Sequence, residues 1–467
     1  MTKNKISRRK FIGNIGKVGL GATAFSSIIS MKSLANSIIS TPGFGGDYKV
    51  LVCFFQGGGN DSFNMLIPRG DTEYDTYKTT RSNLAIEKDE LLSINAVNVG
   101  NRKFGLHPSM PEIQSIFNRG NISFLSNIGT LIQPTTAQQA LDESVPLPLG
   151  LFSHVDQAQE WMTGKPHKRV IKGWGGRIAD NMKALNADNG ISMNISLSGT
   201  NIFQNGENTI EFSIGFEDEA PGIIGYGDQN WNNFGQALTS GIDSLLEHNY
   251  NDPFKQSYVN VIRDSKKAIQ NYNEAINETE DLSTEFSNND ISRAFKSIAK
   301  MIKANTLLGF KRQIFFIENG GWDHHDELLD NQSAMLRDVS IGFGEFDKAM
   351  TELNMQDNVT TFSMSEFGRT LTSNGNGTDH AWGGNVMVMG GAVNGKKIFG
   401  DYPTLNLDNP LMLWDGVLVP TLSTDEYFAE LIQWFGAQDS LIPDLFPNIA
   451  NFYDVNSNQK PIGFMNF

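Results

Sequence analysis

The chain has 467 residues, 39% hydrophobic and 19% charged. This allows two or three domains of ordinary size and excludes a disordered chain, a collagen, a coiled coil and a transmembrane bundle. The 37 Lys and Arg against 52 Asp and Glu leave a formal charge of −15, the wrong sign for neutralising phosphates, so no nucleic-acid partner is expected. The single cysteine, Cys53, excludes an internal disulfide framework and a thiolate zinc finger.

From Met1 to Lys32 there are seven basic residues and no acidic one. Ser7-Arg8-Arg9-Lys10-Phe11-Ile12 looks like a twin-arginine export signal. The weakly apolar run that follows is broken by glycines and is too interrupted for a spanning helix. Ser33-Leu34-Ala35 then offers small residues at a cleavage position. The expectation is a signal peptide over 1–35 and a linker over 36–47, with no transmembrane segment. The twin-arginine translocase would be a partner in folded export to the periplasm or the exterior.

The first β-rich run, 48–56, is stopped by Gly57-Gly58-Gly59 and reads as a buried parallel strand. Ser109 with Glu112 predicts a capping box for a helix that ends at Gly120, and residues 122–128 predict the next strand. Strand, helix and strand at this spacing make an α/β crossover unit. Further strands are expected at 192–197, 313–318, 358–364 and 385–389. Between about 229 and 308 the text turns polar and helical, as in an inserted helical subdomain. Ser423 and Glu426 predict a second capping box, and Gly436 stops that helix. The predicted fold is therefore α/β: one large domain over 48–467 with a doubly wound, mostly parallel sheet and a helical insertion.

Unusual polar groups fall just after the apolar runs. Asn60-Asp61-Ser62 follows the first, Gly320-Gly321-Trp322-Asp323-His324-His325-Asp326 another, and Ser365-Glu366-Phe367-Gly368-Arg369 a third. Gly377-Thr378-Asp379-His380 stands in a Gly/Asn-rich loop before a further strand. In open α/β sheets ligands bind beyond the carboxyl ends of the strands, so these clusters can share one edge. Carboxylate and imidazole without thiolate suit Zn²⁺, Mn²⁺ or Fe, and a mainly oxygen set suits Mg²⁺ or Ca²⁺. Arg369 can order its loop by pairing with Glu366 or offer a planar fork to an oxyanion. His154 stands at a helix start that can face the same cleft. Trp161, Trp174, Trp322 and Trp382 flank these motifs and read as core, with a sugar-sized pocket as the alternative.

These motifs together resemble the bacterial family called domain of unknown function 1501. The match includes Gly57 to Ser62, Phe152-Ser153-His154, Gly173 to Arg177, Gly320 to His325, Ser365 to Arg369, Gly377 to His380 and Gly390 to Asp401. A more distant resemblance is to the alkaline phosphatase and sulfatase superfamily. That likeness implies Asp61 as a metal ligand, Ser62 as nucleophile, Asp323 and His325 as a ligand pair, Glu366 in an Asp position and His380 as the late histidine. Phe367 stands where that superfamily has a histidine.

The function expected on these grounds is an exported, metal-dependent hydrolase of sulfate or phosphate esters, with a small-molecule or carbohydrate ester as substrate. Its metal candidates are Asp61, Asp323, His325, Glu366 and His380, and its catalytic candidates Ser62, Arg369 and His154. The alternative is a non-catalytic exported protein that uses the same pocket to bind a ligand or partner.

Overall fold

The computed structural model describes residues 48–187, 190–216, 226–227 and 233–467. The expected signal peptide and linker lie outside the described residues. Tyr48–Phe467 forms one compact unit.

The twelve strands among its described residues are β1 Lys49–Gly57, β2 Leu66–Pro68, β3 Leu92–Ile94, β4 Phe104–Leu106, β5 Ile122–Gly129, β6 Asn194–Ser196, β7 Phe212–Ser213, β8 Arg312–Gly320, β9 Val359–Ser365, β10 Gly384–Met389, β11 Ile398–Phe399 and β12 Leu422–Ser423. Nine make the main sheet, in the order β11-β5-β10-β9-β1-β8-β6-β7, with β12 also paired to β5. The others form a small antiparallel sheet, β2-β4-β3. In the main sheet every pairing is parallel except β10 with β5 and with β9. Among the described residues β10 alone runs against the rest, so the fold is α/β with a mostly parallel sheet.

The central strands are buried along nearly their whole length, which explains their continuous apolar text rather than an alternating one. On one face the helix Asp290–Lys303 and the long helix Leu328–Glu352 cover β1. Phe295 stacks on Phe54 at 6.5 Å and on Phe346 at 4.6 Å. The polar helical stretch of the sequence thus contains two kinds of element. Asn233–Glu247 and Pro253–Glu278 carry exposed apolar side chains such as Leu245, Phe254 and Tyr258, whereas Asp290–Lys303 belongs to the core.

Of the two predicted capping boxes, Ser423 and Glu426 form theirs on the helix Thr424–Phe435. Ser109 and Glu112 do not. Their helix, Pro111–Arg119, starts after Met110 without a side-chain cap. Ser109 bonds Ser333, and Glu112 accepts from Ser340, both on the long helix. Tertiary partners outcompete the local cap.

The sheet positions the site through register. Gly57 of β1 lies opposite Gly320 of β8, and Gln56 opposite Ser365 of β9. The three following loops therefore leave the carboxyl edge side by side. Because β10 is reversed, the loop before it, with Asp379 and His380, reaches that same edge.

Candidate metal centre

Close approach of these loops depends on two glycines. Gly58 has φ +118° and Gly59 +85°. A Cβ on Gly58 would stand 2.5 Å from the Asp323 backbone nitrogen, and one on Gly59 2.4 Å from the Phe367 ring. Only glycine fits both the conformation and the space.

Over this base three imidazoles face one carboxylate. Nε2 of His154 is 3.3 Å from Oδ2 of Asp323. Nε2 of His325 and of His380 are 3.0 and 3.1 Å from Oδ1. The two latter nitrogens stand only 3.0 Å from each other. Each Nδ1 has its own partner: Glu366 Oε2 for His154 at 2.9 Å, Asp379 Oδ1 for His325 at 3.0 Å, and the Phe152 carbonyl for His380 at 2.8 Å.

A carbonyl can only accept, so the His380 Nδ1 carries a hydrogen, and an ionised carboxylate imposes the same tautomer on its histidine. Nε2 lone pairs then converge on an anion. This arrangement is repulsive unless a cation or a proton lies among them. Imidazoles whose outer N–H is held by a carboxylate or carbonyl are the usual form of metal-ligating histidine. His154, Asp323 and His380 each offer a ligand atom, all within 4.8 Å of one another. Donors about 2.1 Å from a tetrahedral ion stand roughly 3.4 Å apart, close to the contacts of Asp323 with the two imidazoles. The residues therefore fit a single divalent ion.

The electrostatics agree with this division of roles. Partial burial pushes the Asp323 carboxyl up, but the hydrogen bond and charge of Arg369 outweigh it and hold Asp323 below the usual carboxylate range. Asp379 is likewise raised by burial and brought below its ordinary value by bonds from Asn374 and His325. Glu366, more deeply buried, is raised despite its bonds from His154 and the Gly58 N–H. Burial lowers His380.

The predicted residues divide into three groups. Asp323, His325 and His380 come together, and His154 joins them as a further imidazole. Its ring lies 5.0 Å from that of Phe367, so His154, from the helix His154–Thr163, brings an imidazole to where Phe367 has none. Glu366 stands behind His154 as its hydrogen-bond acceptor. The structure corrects four expectations, the first being Glu366 as a ligand, since its Oε2 is taken by the Nδ1 of His154 and the Gly58 N–H. Asp61 is fully buried, and its Oδ2 is ion-paired with Arg81 of the helix Asp71–Arg81, not with the histidines. Ser62 is 1% exposed, and its Oγ accepts the Asn385 N–H at 2.7 Å; among the described residues no carboxylate or imidazole is hydrogen-bonded to it. Arg369 is no free fork. Its buried guanidinium donates to Thr378, to the Gly58 carbonyl at 3.4 Å and to Asp323 at 2.5 Å.

His324 turns into the core beside Trp322, leaving His325 to face the cluster. The flanking tryptophans 161, 174, 322 and 382 are buried, as core residues. Sequence reasoning missed Asp379 and Phe152 as partners of the histidines. Asp379 adjoins His380 in its motif and could have been found; a backbone carbonyl leaves no mark in the text.

Residues 228–414 match the family described as Protein of unknown function (DUF1501). Asp323, Glu366 and His380 lie inside that span, and His154 outside it. No curated protein matches the chain significantly. Among solved structures the chain is distantly similar to sulfatases and an alkaline phosphatase. Ps i-CgsB in complex with k-i-k-neocarrahexaose is 9% identical, with 86% of this chain and 77% of that chain covered and a TM-score of 0.34. The PsFucS1 sulfatase from Pseudoalteromonas sp. is 11% identical over 89% and 72%, with a TM-score of 0.33. A mutant TAB5 alkaline phosphatase with Mg bound is 10% identical over 73% and 90%, at 0.24. The fold assignment rests on the strand order, not on these scores.

Proposed function

We propose that the protein is a metal-dependent hydrolase of sulfate or phosphate esters, exported through a twin-arginine signal, with one divalent cation held by His154, Asp323 and His380 and approached by His325. One observation carries the reading: three Nε2 atoms turned toward one carboxylate, each with its Nδ1 tied to an acceptor. Such a cation supplies a Lewis acid for an ester oxygen. The imidazole-rich donor set favours Zn²⁺ or Mn²⁺ over Mg²⁺ or Ca²⁺.

The chain's own groups have separable tasks. Glu366, Asp379 and the Phe152 carbonyl hold the Nδ1 hydrogens and so aim the imidazoles. Arg369 holds Asp323 ionised and fixed in direction. His154, Asp323 and His325 have partly exposed side chains, which leaves the cluster open to an incoming ester and to water. With Ser62 buried, water is the nucleophile this reading supports.

The test is elemental analysis of the purified protein, followed by assay against aryl sulfate and aryl phosphate with Zn²⁺, Mn²⁺, Mg²⁺ or Ca²⁺ added. Stoichiometric metal with metal-dependent turnover is expected, and absence of both ends the reading. For export, replacing Arg8 and Arg9 with lysine should retain the protein in the cytoplasm. Normal accumulation outside would refute that part.

The commitment of both Ser62 and Arg369 to structural bonds favours a second reading, a non-catalytic exported binding protein. Metal uptake without turnover of either ester class would select it.

A further inference from the structure

The most solvent-open tryptophan among the described residues stands one contact away from the metal centre. Trp414 is 46% exposed, whereas Trp161, Trp174, Trp322, Trp382 and Trp434 are buried. Its ring meets that of Phe152 edge-on, with centroids 5.6 Å apart. Phe152 is the residue whose carbonyl receives the His380 Nδ1 hydrogen.

Phe152 is held at a conformational cost, and Trp414 by a fastened turn. Phe152 has φ +71°, a region where a bulky side chain is a genuine outlier and where strain accumulates at functional sites. Glycine would take this conformation freely and still provide the carbonyl, so the backbone alone does not account for a phenylalanine there. Trp414 opens a tight turn in which Asp415 and Gly416 both have positive φ, +44° and +83°. That turn is closed by Val417 N–H to the Trp414 carbonyl at 2.8 Å and has the Asp-Gly chemistry of a hairpin. Its tip is fastened to the loop that carries Arg369 and His380. Leu371 N–H donates to the Gly416 carbonyl at 3.0 Å, and Thr372 Oγ1 to the Asp415 carbonyl at 2.5 Å.

We infer that Trp414, braced by Phe152, is a stacking platform for a sugar ring carried by the ester, which makes it a specificity residue of the site. This deepens the hydrolase reading and rests on it for the ester. An indole left half in water suits an amphipathic partner rather than a wholly apolar one. A pyranose has apolar C–H faces and a hydroxyl rim. The exposed Asp415 carboxylate beside Trp414 in the turn can accept from hydroxyls of that rim. Phe152 links the two halves of the site: its carbonyl aims His380, and its ring supports the platform.

The experiment uses the full chain with metal, as wild type, Trp414→Ala and Trp414→Phe. Retention is measured on an immobilised panel of neutral and sulfated hexose oligosaccharides, with metal content and unfolding midpoint as checks on the site and fold. Wild type should be retained, Trp414→Ala about tenfold less, and Trp414→Phe in between, at equal metal content. Where sugar sulfates are hydrolysed, Trp414→Ala should raise KM more than it lowers kcat. Equal retention of wild type and Trp414→Ala, or no retention of either, overturns the platform. Trp414-dependent retention without hydrolysis of any ester keeps the platform and removes the hydrolase reading. Hydrolysis of aryl esters with no glycan retention does the reverse.

Discussion

Glu366 and Asp61 are both buried carboxylates beyond the end of a central strand, yet they do different work. Glu366 holds Nδ1 of His154, a ligand on the proposed reading, through one hydrogen bond, and outer partners of this kind typically govern about 10–100-fold in metal affinity. Glu366→Ala should therefore weaken metal retention by about that factor in a chelator competition while the chain stays folded. Asp61 neutralises Arg81, which also donates to Asn64 and to the Thr370 carbonyl. Removing one partner of a buried pair costs about 3–5 kcal/mol. Asp61→Asn should thus lower the unfolding free energy by several kcal/mol, with full metal content in whatever remains folded. Loss of metal from folded Asp61→Asn would restore Asp61 as a ligand. The contrast also marks what could be read in advance. Glycine-bounded polar text after apolar runs points to the sheet edge, and Asp323, His325 and His380 do meet there. Which way a carboxylate turns depends on an arginine twenty residues on, and no local pattern records that.

At the scale of elements, legibility followed burial. Long apolar runs such as β1, β8 and β9 announce themselves, whereas the three-residue strands of the small sheet offer too little text for any period. Capping boxes show the same division. Ser423 keeps its local partners, but Ser109 and Glu112 give theirs up to the long helix. Ser423→Ala should accordingly cost about 1 kcal/mol, the usual worth of a cap, read as a shift of the denaturation midpoint. Ser109→Ala should cost only its bond to Ser333 and leave the helix Pro111–Arg119 as it is, since Ser109 does not cap it. A helix loss on Ser109→Ala, seen by circular dichroism, would contradict this.

For the whole molecule, pH tolerance is set by acids that fold inside. Glu160, on the helix that begins with His154, is 4% exposed and bonded to Thr130 at 2.7 Å. Burial raises it to about 8, against the smaller opposing effect of that bond. The native state thus holds a proton that the unfolded chain releases above its ordinary value near 4.5. This contribution to stability is fully present below about pH 4.5, falls by about 1.4 kcal/mol per pH unit through the window, and is gone above about pH 8. Glu160→Gln should flatten that slope, measured as unfolding free energy between pH 5 and 8. An unchanged slope would mean that Glu160 ionises freely in the native state.

The reversal of β10 has a kinetic consequence. His380 enters the sheet where Asp323 leaves it, and the two are 57 residues apart in the chain, while His154 and its acceptor Glu366 are 212 apart. No short segment can preassemble these donors, and contacts of such long range close late because the loop entropy is spent before they are rewarded. On the proposed reading, cation capture is consequently a clock for the end of folding. In a refolding time course, uptake of the ion should lag the formation of the central strands, and an ion supplied early should not hasten them.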